Sequence, residues 1–261
     1  MSAGTYTPRP GAAPLSRMIT TQTALETRML LRNGEQLLLT VIIPTLLLVL
    51  FSAVDIVAVP TETMGAAGKS VDFLAPGILA LAVMSTAFTG QAIATGFERR
   101  YGVLKRLGAS PLPRWALMTA KTLSVLVTEV LQVVLLTVIA FALGWSPHGN
   151  PFAVLMLLVL GTAAFSGLGL LMAGTLKAEA TLAAANLVFL LLLVGGGVIV
   201  PLEKFPDAVQ SALGLLPIAA LSDGLRDVLQ HGASMPWSDL GILAVWAVLG
   251  LGAAAKFFRW E

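Results

Sequence analysis

FAVLMLLVLGTAAFSGLGLLMAGTL, residues 152–176, runs for 25 positions without a charged side chain. An α-helix rises ~1.5 Å per residue, so about 20 residues cross a ~30 Å hydrocarbon core. This run is long enough to cross, and it has neighbours of the same kind on both sides. They occupy residues 37–54, 73–97, 122–143 (interrupted only by Glu129), 180–202 and 240–255. The first and last are a little short, and flanking residues complete them. The pattern predicts an all-α polytopic membrane protein with six transmembrane helices, at about 37–57, 73–97, 117–143, 152–176, 180–201 and 238–257.

Composition agrees with this reading. The chain is 57% hydrophobic and 11% charged, where a soluble domain carries roughly 25% charged residues. Six spans and their loops use nearly all of the 261 residues. The expected organisation is a disordered cytoplasmic tail at 1–15, an interfacial helix at 16–36 and one membrane domain at 37–258, with no room for a soluble catalytic domain. Cysteine is absent, which excludes disulfides, thiol catalysis and cysteine-ligated metals.

The basic residues are distributed unevenly among the gaps. With the N-terminus inside, Arg9, Arg17, Arg28, Arg32, then Arg99, Arg100, Lys105, Arg106, Arg114 and Lys121, then Lys177, Lys256 and Arg259 are cytoplasmic. Only Lys69, Lys204 and Arg226 fall outside. The positive-inside rule therefore puts both termini in the cytoplasm of a multi-pass cell-membrane protein.

The first apolar run starts only at Leu37, so the polar lead is expected to be retained rather than cleaved as a signal. Pro8, Pro10, Gly11 and Pro14 mark its first part as disordered. From Ser16 to Gln36 an amphipathic helix is expected. Met18, Leu25, Met29 and Leu30 form its apolar stripe, and Arg17, Arg28, Arg32 and Glu35 its wetter side. Residues 98–108 read as a short basic helix stopped at Gly108, followed by a proline-stiffened turn through Pro111 and Pro113. Val103, Leu104 and Leu107 share a face that needs lipid or protein to sit on. After Pro201, two short helices at about 206–215 and 217–231, broken at Gly214 and Pro217, read as partly re-entrant outer helices between spans five and six. Irregular backbone at that depth must be shielded by protein or water.

Few residues suggest chemistry of their own. Met64–Ser70 approaches a P-loop, but Thr63 stands where its first glycine belongs and no strand precedes it, so nucleotide binding is not expected here. Ser166 in Ala164-Phe165-Ser166-Gly167 lacks a base, because His148 and His231 both fall in outer loops. Gly161, Ala163, Gly167, Gly169, Ala173 and Gly174 are better explained by close helix packing in lipid. The two distant histidines make a metal site unexpected. Glu129 stands deep in span three, with Thr128, Gln132 and Thr137 on its face. It either lines a polar path or is a carboxyl bonded to a neighbouring helix.

An ordered set of short motifs resembles the ABC-2 type permeases, particularly the daunorubicin-resistance type of drug or lipid exporter. The set is Phe73-Leu74-Ala75-Pro76-Gly77, then Glu98-Arg99-Arg100-x-Gly102-x-Leu104-Lys105-Arg106-Leu107 with Ser110-Pro111. It continues with Gly195-Gly196-Gly197 to Pro201, Phe205-Pro206, Leu216-Pro217 and Leu225-Arg226. The resemblance implies a transport subunit that is not itself an enzyme. It would pair with a second copy or a sister permease and with two cytoplasmic ATPase subunits. The chain would bind no cofactor and no nucleic acid; ATP and Mg would be used by the partner, and membrane lipids would surround it.

By the same resemblance, residues 98–110 would be a coupling helix docking on the ATPase through Glu98, Arg99, Arg100, Leu104, Lys105 and Arg106. Residues 16–34 would be a connecting helix beside it. A substrate path would run between spans two and five, with Gln91, Glu129 and Gln132 near it, and Phe205, Asp223 and Arg226 would belong to an outer gate. The expected cargo is an amphipathic drug-like or lipid-like molecule moved outward by alternating access. A cell-envelope lipid or glycan precursor is the alternative cargo; a membrane-embedded enzyme or an assembly subunit are the alternatives of a different class.

Overall fold

The computed structural model describes residues 12–53, 70–198 and 206–259, without the side chains of 35–39, 53 and 207–209. Ten helices account for the ordered elements among them. These are α1 Leu15–Arg32, α2 Gly34–Ala53, α3 Ser70–Arg100, α4 Val103–Gly108, α5 Arg114–Ala142, α6 Pro151–Thr175, α7 Ala178–Gly195, α8 Asp207–Leu213, α9 Pro217–Leu229 and α10 Trp237–Phe257. Five of them, α3, α5, α6, α7 and α10, are long and apolar enough to cross a bilayer. The apolar part of α2, Thr40–Ser52, is shorter. The tail expected at 1–15 lies outside the described residues up to residue 11, and so does the P-loop-like segment 64–69.

Helix starts follow local chemistry. Asn150 caps α6 by accepting from the Phe152 N–H at 3.0 Å, and Pro151 fills the first position, where no intrahelical donor is needed. Pro217 opens α9 in the same way. α3 carries Pro76 inside it and loosens to a π-helical stretch at Met84–Gly90, a widening of the helix often found at functional positions.

α3 is the axis of the bundle. Every residue from Phe73 to Met84 is buried, as suits a helix that is apolar all round. α2, α5, α6, α7 and α9 all pack on it. The outer spans keep apolar ridges exposed, such as Val130, Val134 and Val138 on α5 and Leu187, Leu191 and Val194 on α7. In a membrane these face lipid or another chain.

α6 and α10 approach closely because both present glycine. A Cβ added to Gly167 would sit 2.5 Å from the Leu251 nitrogen, and one on Gly250 would sit 3.2 Å from the Leu168 nitrogen. This is the small-residue packing expected from the sequence. Gly161 likewise admits Leu221 of α9, and Gly169 admits the Phe88 carbonyl of α3.

The two ends of the bundle differ in charge. At one end α1, the α3–α5 connection, the α6–α7 turn and the C-terminus converge: the Arg259 N–H donates to the Gly174 carbonyl, and Arg114 to the Phe258 carbonyl. At the other end the Ser146 N–H donates to Asp72, and the His148 N–H to the Leu229 carbonyl. Among the described residues, every Lys and Arg except Arg226 belongs to the first end.

Two local expectations are corrected. The basic segment 98–108 is not one helix: Arg100 ends α3, Gly102 adopts φ +71°, and α4 starts at Val103. That left-handed turn, which glycine adopts at little cost, comes six residues before the expected stop. The side of α1 that packs on the bundle is partly polar, and the stripe expected to lie along the membrane interface is turned away from it at two positions. Leu25 and Met29 are exposed, and Gln22 and Glu26 are buried. The reason is a buried lysine on α5, described below. α1 also ends at Arg32, and α2 begins at Gly34, ahead of the expected boundary at 36.

Gly167→Val should force α10 off α6 and lower stability by about 2 kcal/mol, a typical overpacking cost. Gly252→Ala, where nothing lies within 4 Å of the added Cβ, should leave it unchanged. Thermal unfolding of the two purified variants in the same detergent distinguishes them.

Candidate functional site

At the basic end, Lys121 of α5 is almost fully buried and donates to two carboxylates, Glu26 of α1 at 3.0 Å and Glu98 of α3 at 2.6 Å. Gln22 donates to the other oxygen of Glu26 at 2.8 Å. Moving a charge into a low-dielectric interior is costly unless a partner meets it. Here one cation meets two anions, and the three helices are held by it.

The next two residues extend this junction. Arg99 donates to the carbonyls of Ala173 at 2.9 Å and Leu176 at 2.6 Å, capping the exposed carbonyl end of α6. Arg100 pairs with Glu179 in the first turn of α7. The turn at Gly102 then sets α4 against a second apolar cluster. There Leu104 is fully buried among Leu117, Leu170, Ala254 and Phe258, with Met18, Ile19 and Leu107 packed against it. The surface awaited by Leu104 and Leu107 is therefore the protein itself.

Of the six residues expected to dock an ATPase, Glu98, Arg99, Arg100 and Leu104 are thus engaged within the chain. Lys105 and Arg106 are exposed on α4.

Glu129, Gln132 and Gln91 link α3, α5 and α6 within the intramembrane part. Glu129 accepts from Thr162 of α6, and its other oxygen has no partner among the described residues. Gln132 accepts from Thr86 of α3 at 2.9 Å and donates to the Thr40 carbonyl of α2. Gln91 accepts from Ser166 at 2.6 Å, so that serine has an amide partner. Thr128 bonds back to the Ser124 carbonyl, and Thr137 is half-buried. Glu129 is bonded to a neighbouring helix.

A cleft of about 580 Å³ opens beside α3, between α2 and α7. Thr40, Ser85, Thr89 and Asn186 give it polar points, and Pro44 and Phe189 are among its apolar walls. Ser85, Thr89 and Gly90 reach it from the π-helical stretch. α3 and α7 both border this space. Glu129, Gln132 and Gln91 do not line it.

At the far end Arg226 of α9 is buried over the Phe73 ring, 4.1 Å from its centroid, a cation–π contact. It donates to the Val198 carbonyl at 2.8 Å and pairs with Asp223 at 3.1 Å. Gly77 makes room: a Cβ there would sit 2.6 Å from the Val198 oxygen and 2.9 Å from the Arg226 guanidinium. Burial raises the Asp223 carboxyl above its ordinary pKa, and adjacent Arg226 opposes the shift. Phe205 lies outside the described residues.

Glu26 was not singled out in sequence, Lys121 was counted only among the basic residues, and Phe73 and Gly77 stood in a motif without being joined to Arg226. Lys121 carried a signal, since a lysine between Met118 and Leu123 at the edge of an apolar run needs a partner.

Comparison with known proteins follows this geometry. The family profile described as ABC-2 family transporter protein matches residues 12–256. The chain is similar to the "Putative transport permease YvfS" of Bacillus subtilis (strain 168), 24% identical over 241 residues that cover 91% of this chain and 95% of that protein. It is 30% identical over 203 residues to the linearmycin resistance permease protein LnrN of the same organism, covering 75% of this chain and 51% of LnrN. Nodulation protein J of Bradyrhizobium diazoefficiens is 26% identical over 203 residues, 72% of each chain.

Lys121→Met should leave two buried carboxylates facing each other and destabilise the protein by about 3 kcal/mol. Combining it with Glu26→Gln and Glu98→Gln should recover most of that loss. Chemical denaturation monitored by tryptophan fluorescence checks both steps.

Proposed function

The chain belongs to the ABC-2 transporter family, and from that premise we propose that it is the membrane-spanning half-unit of an ATP-driven exporter, powered by a separate ATPase. The observation that carries the reading is the linkage of the α4 corner to α1, α3, α5, α6 and α7. A force applied at α4 reaches α3 and α7, which border the cleft, and α5 and α6 behind them. Two ATPase subunits and a second permease, a copy or a sister chain, complete the proposed complex. ATP and Mg belong to the ATPases.

The six-span topology is proposed with α2 as the first span. Both termini are proposed to be cytoplasmic, supported by the gathering of the basic residues at one end. In this orientation α4 is the coupling helix, and Lys105 and Arg106 are its docking charges. α1 is the connecting helix beside it. α8 and α9, with Asp223 and Arg226, cap the outer end.

The substrate path is the cleft between α2, α3 and α7. Its apolar walls, with scattered hydroxyl and amide groups, suit an amphipathic molecule. Glu129, Gln132 and Gln91 hold the back of α3 in register as the cleft changes width. Similarity to a linearmycin resistance permease supports efflux of a drug-like compound; a lipid or glycan precursor of the cell envelope is the second reading. Nucleotide-driven motion requires contacts that differ between the two states, and the π-helical stretch of α3 is where the axis is least regular.

The test is co-expression with a partner ATPase, followed by pull-down and ATP hydrolysis in vesicles. Lys105→Glu with Arg106→Glu should give a folded, monodisperse permease that retains at most about a tenth of the ATPase, as expected when docking charges are reversed. Arg99→Glu with Arg100→Glu should instead lower the melting temperature of the permease alone. Unchanged ATPase retention in the first variant would overturn the docking assignment, and failure of the wild type to bind any ATPase would overturn the exporter.

A further inference from the structure

The exposed side of α1 leaves two arginines without a protein partner. Arg28 and Arg32 stand one turn apart and make no hydrogen bond or ion pair with any described residue. Residues four apart share a helix face, so the two guanidiniums form one donor pair. Both line a groove of about 570 Å³ between α1 and α5, floored by Leu123 and Val127. Thr27 also lines it, though its hydroxyl is buried and has no partner among the described residues.

The groove continues into an apolar ridge. Leu123, Val127, Val130, Val134, Val138 and Phe141 are all exposed on α5, at spacings of three and four that stack them along one face. Residues 122–143 of this helix, charged only at Glu129, match the thickness of a bilayer core at about 33 Å. The hydrocarbon boundary therefore falls beside Leu123. Arg28, Arg32 and Thr27 lie where headgroups begin, and the ridge runs inward from them.

We propose that this groove is a binding site for one anionic phospholipid of the leaflet at the basic end of the bundle. Arg28 and Arg32 clasp its phosphate, and an acyl chain follows the α5 ridge. Charge selects this occupant: paired guanidiniums recognise phosphate strongly, and the floor below them is aliphatic. The lipid's chemistry also explains the exposed Leu25, Met29 and Leu31, which meet acyl chains while the arginines reach to the headgroup layer. The site rests on the membrane reading of the fold and is independent of the ATPase.

The full-length chain is reconstituted with equal parts of phosphatidylglycerol and phosphatidylcholine, re-extracted in mild detergent, and its retained lipid is measured by native mass spectrometry. Wild type should retain phosphatidylglycerol preferentially. Arg28→Gln with Arg32→Gln should reduce that preference about tenfold, while the lysine pair should restore part of it and Arg17→Gln should leave it intact. Arg32→Gln alone should reduce it about threefold, and it reports on the site even where the double variant does not fold. Unchanged preference in both variants overturns the proposal, as does equal loss in Arg17→Gln, which indicates a diffuse positive surface. Displacement of the lipid by inorganic phosphate would show an anion site without a lipid requirement, and would also overturn it. Retained lipid with lost ATPase association in Arg28→Gln/Arg32→Gln would assign the arginines to a protein partner instead. Because retention is read on the permease alone, its failure leaves the docking of Lys105 and Arg106 standing.

Discussion

One buried lysine between two buried carboxylates sets the arrangement of the basic end. Lys121 belongs to α5, Glu26 to α1 and Glu98 to α3. A buried ion pair often adds little net stability over an apolar substitute, but removing one member strands the other. The triad is therefore better understood as a constraint on geometry than as a source of stability. None of the three helices can slide or rotate without exposing a charge to an apolar surrounding. The same turn of α3 carries Arg99 and Arg100 to α6 and α7. Five helices thus take their relative positions from three consecutive residues, Glu98, Arg99 and Arg100, and the lysine that meets the first of them.

The middle of the bundle is held differently. α3 is bonded to Gln132 of α5 and Ser166 of α6, and it also borders the cleft. These contacts are mostly neutral hydrogen bonds, each worth only about 1 kcal/mol. They are spread over a helix whose central stretch has π-helical geometry. At the far end the fastening is again ionic and tight, with Arg226 enclosed by Phe73, Val198 and Asp223. Two firm ends and a softer middle beside an open cleft are suited to a change in cleft width without loss of the fold.

Much of the fold was legible because bilayer thickness imposes a length on apolar runs and lipid leaves few alternatives to helix. The two short helices broken near Gly214 and Pro217 were legible for a local reason, since proline and glycine punctuate chains in any context. What was not legible depended on tertiary neighbours. Leu25 and Met29 were read as an apolar stripe for the membrane interface, but which side of α1 packs on the bundle is decided by Lys121, 95 residues away from Glu26 in sequence. Arg99 and Arg100 were assigned to docking by resemblance, which carries no information on their partners within the chain. The carbonyls at the end of α6 and the carboxylate of Glu179 hold them there. Gly108 was read as the stop, and the left-handed turn at Gly102 shows where the helix breaks.

The division of the Glu98–Arg106 segment into an anchored half and an exposed half has a mechanical meaning. A helix of six residues has no appreciable stability of its own, so α4 keeps its position only through what it touches. Leu104 seats it in a cluster built from α5, α6, α10 and Phe258, and Gly102 ties it covalently to the charged turn of α3. The first attachment is apolar, short-ranged and tolerant of small shifts. The second is ionic, and its partners are discrete groups that must either be met or abandoned. On the proposed reading, small displacements of α4 by an ATPase would be absorbed at Leu104, and larger ones would have to carry Glu98, Arg99 and Arg100 with their partners. Such a junction transmits a step rather than a gradual push, which is what a two-state exporter requires of the corner where its motor would attach.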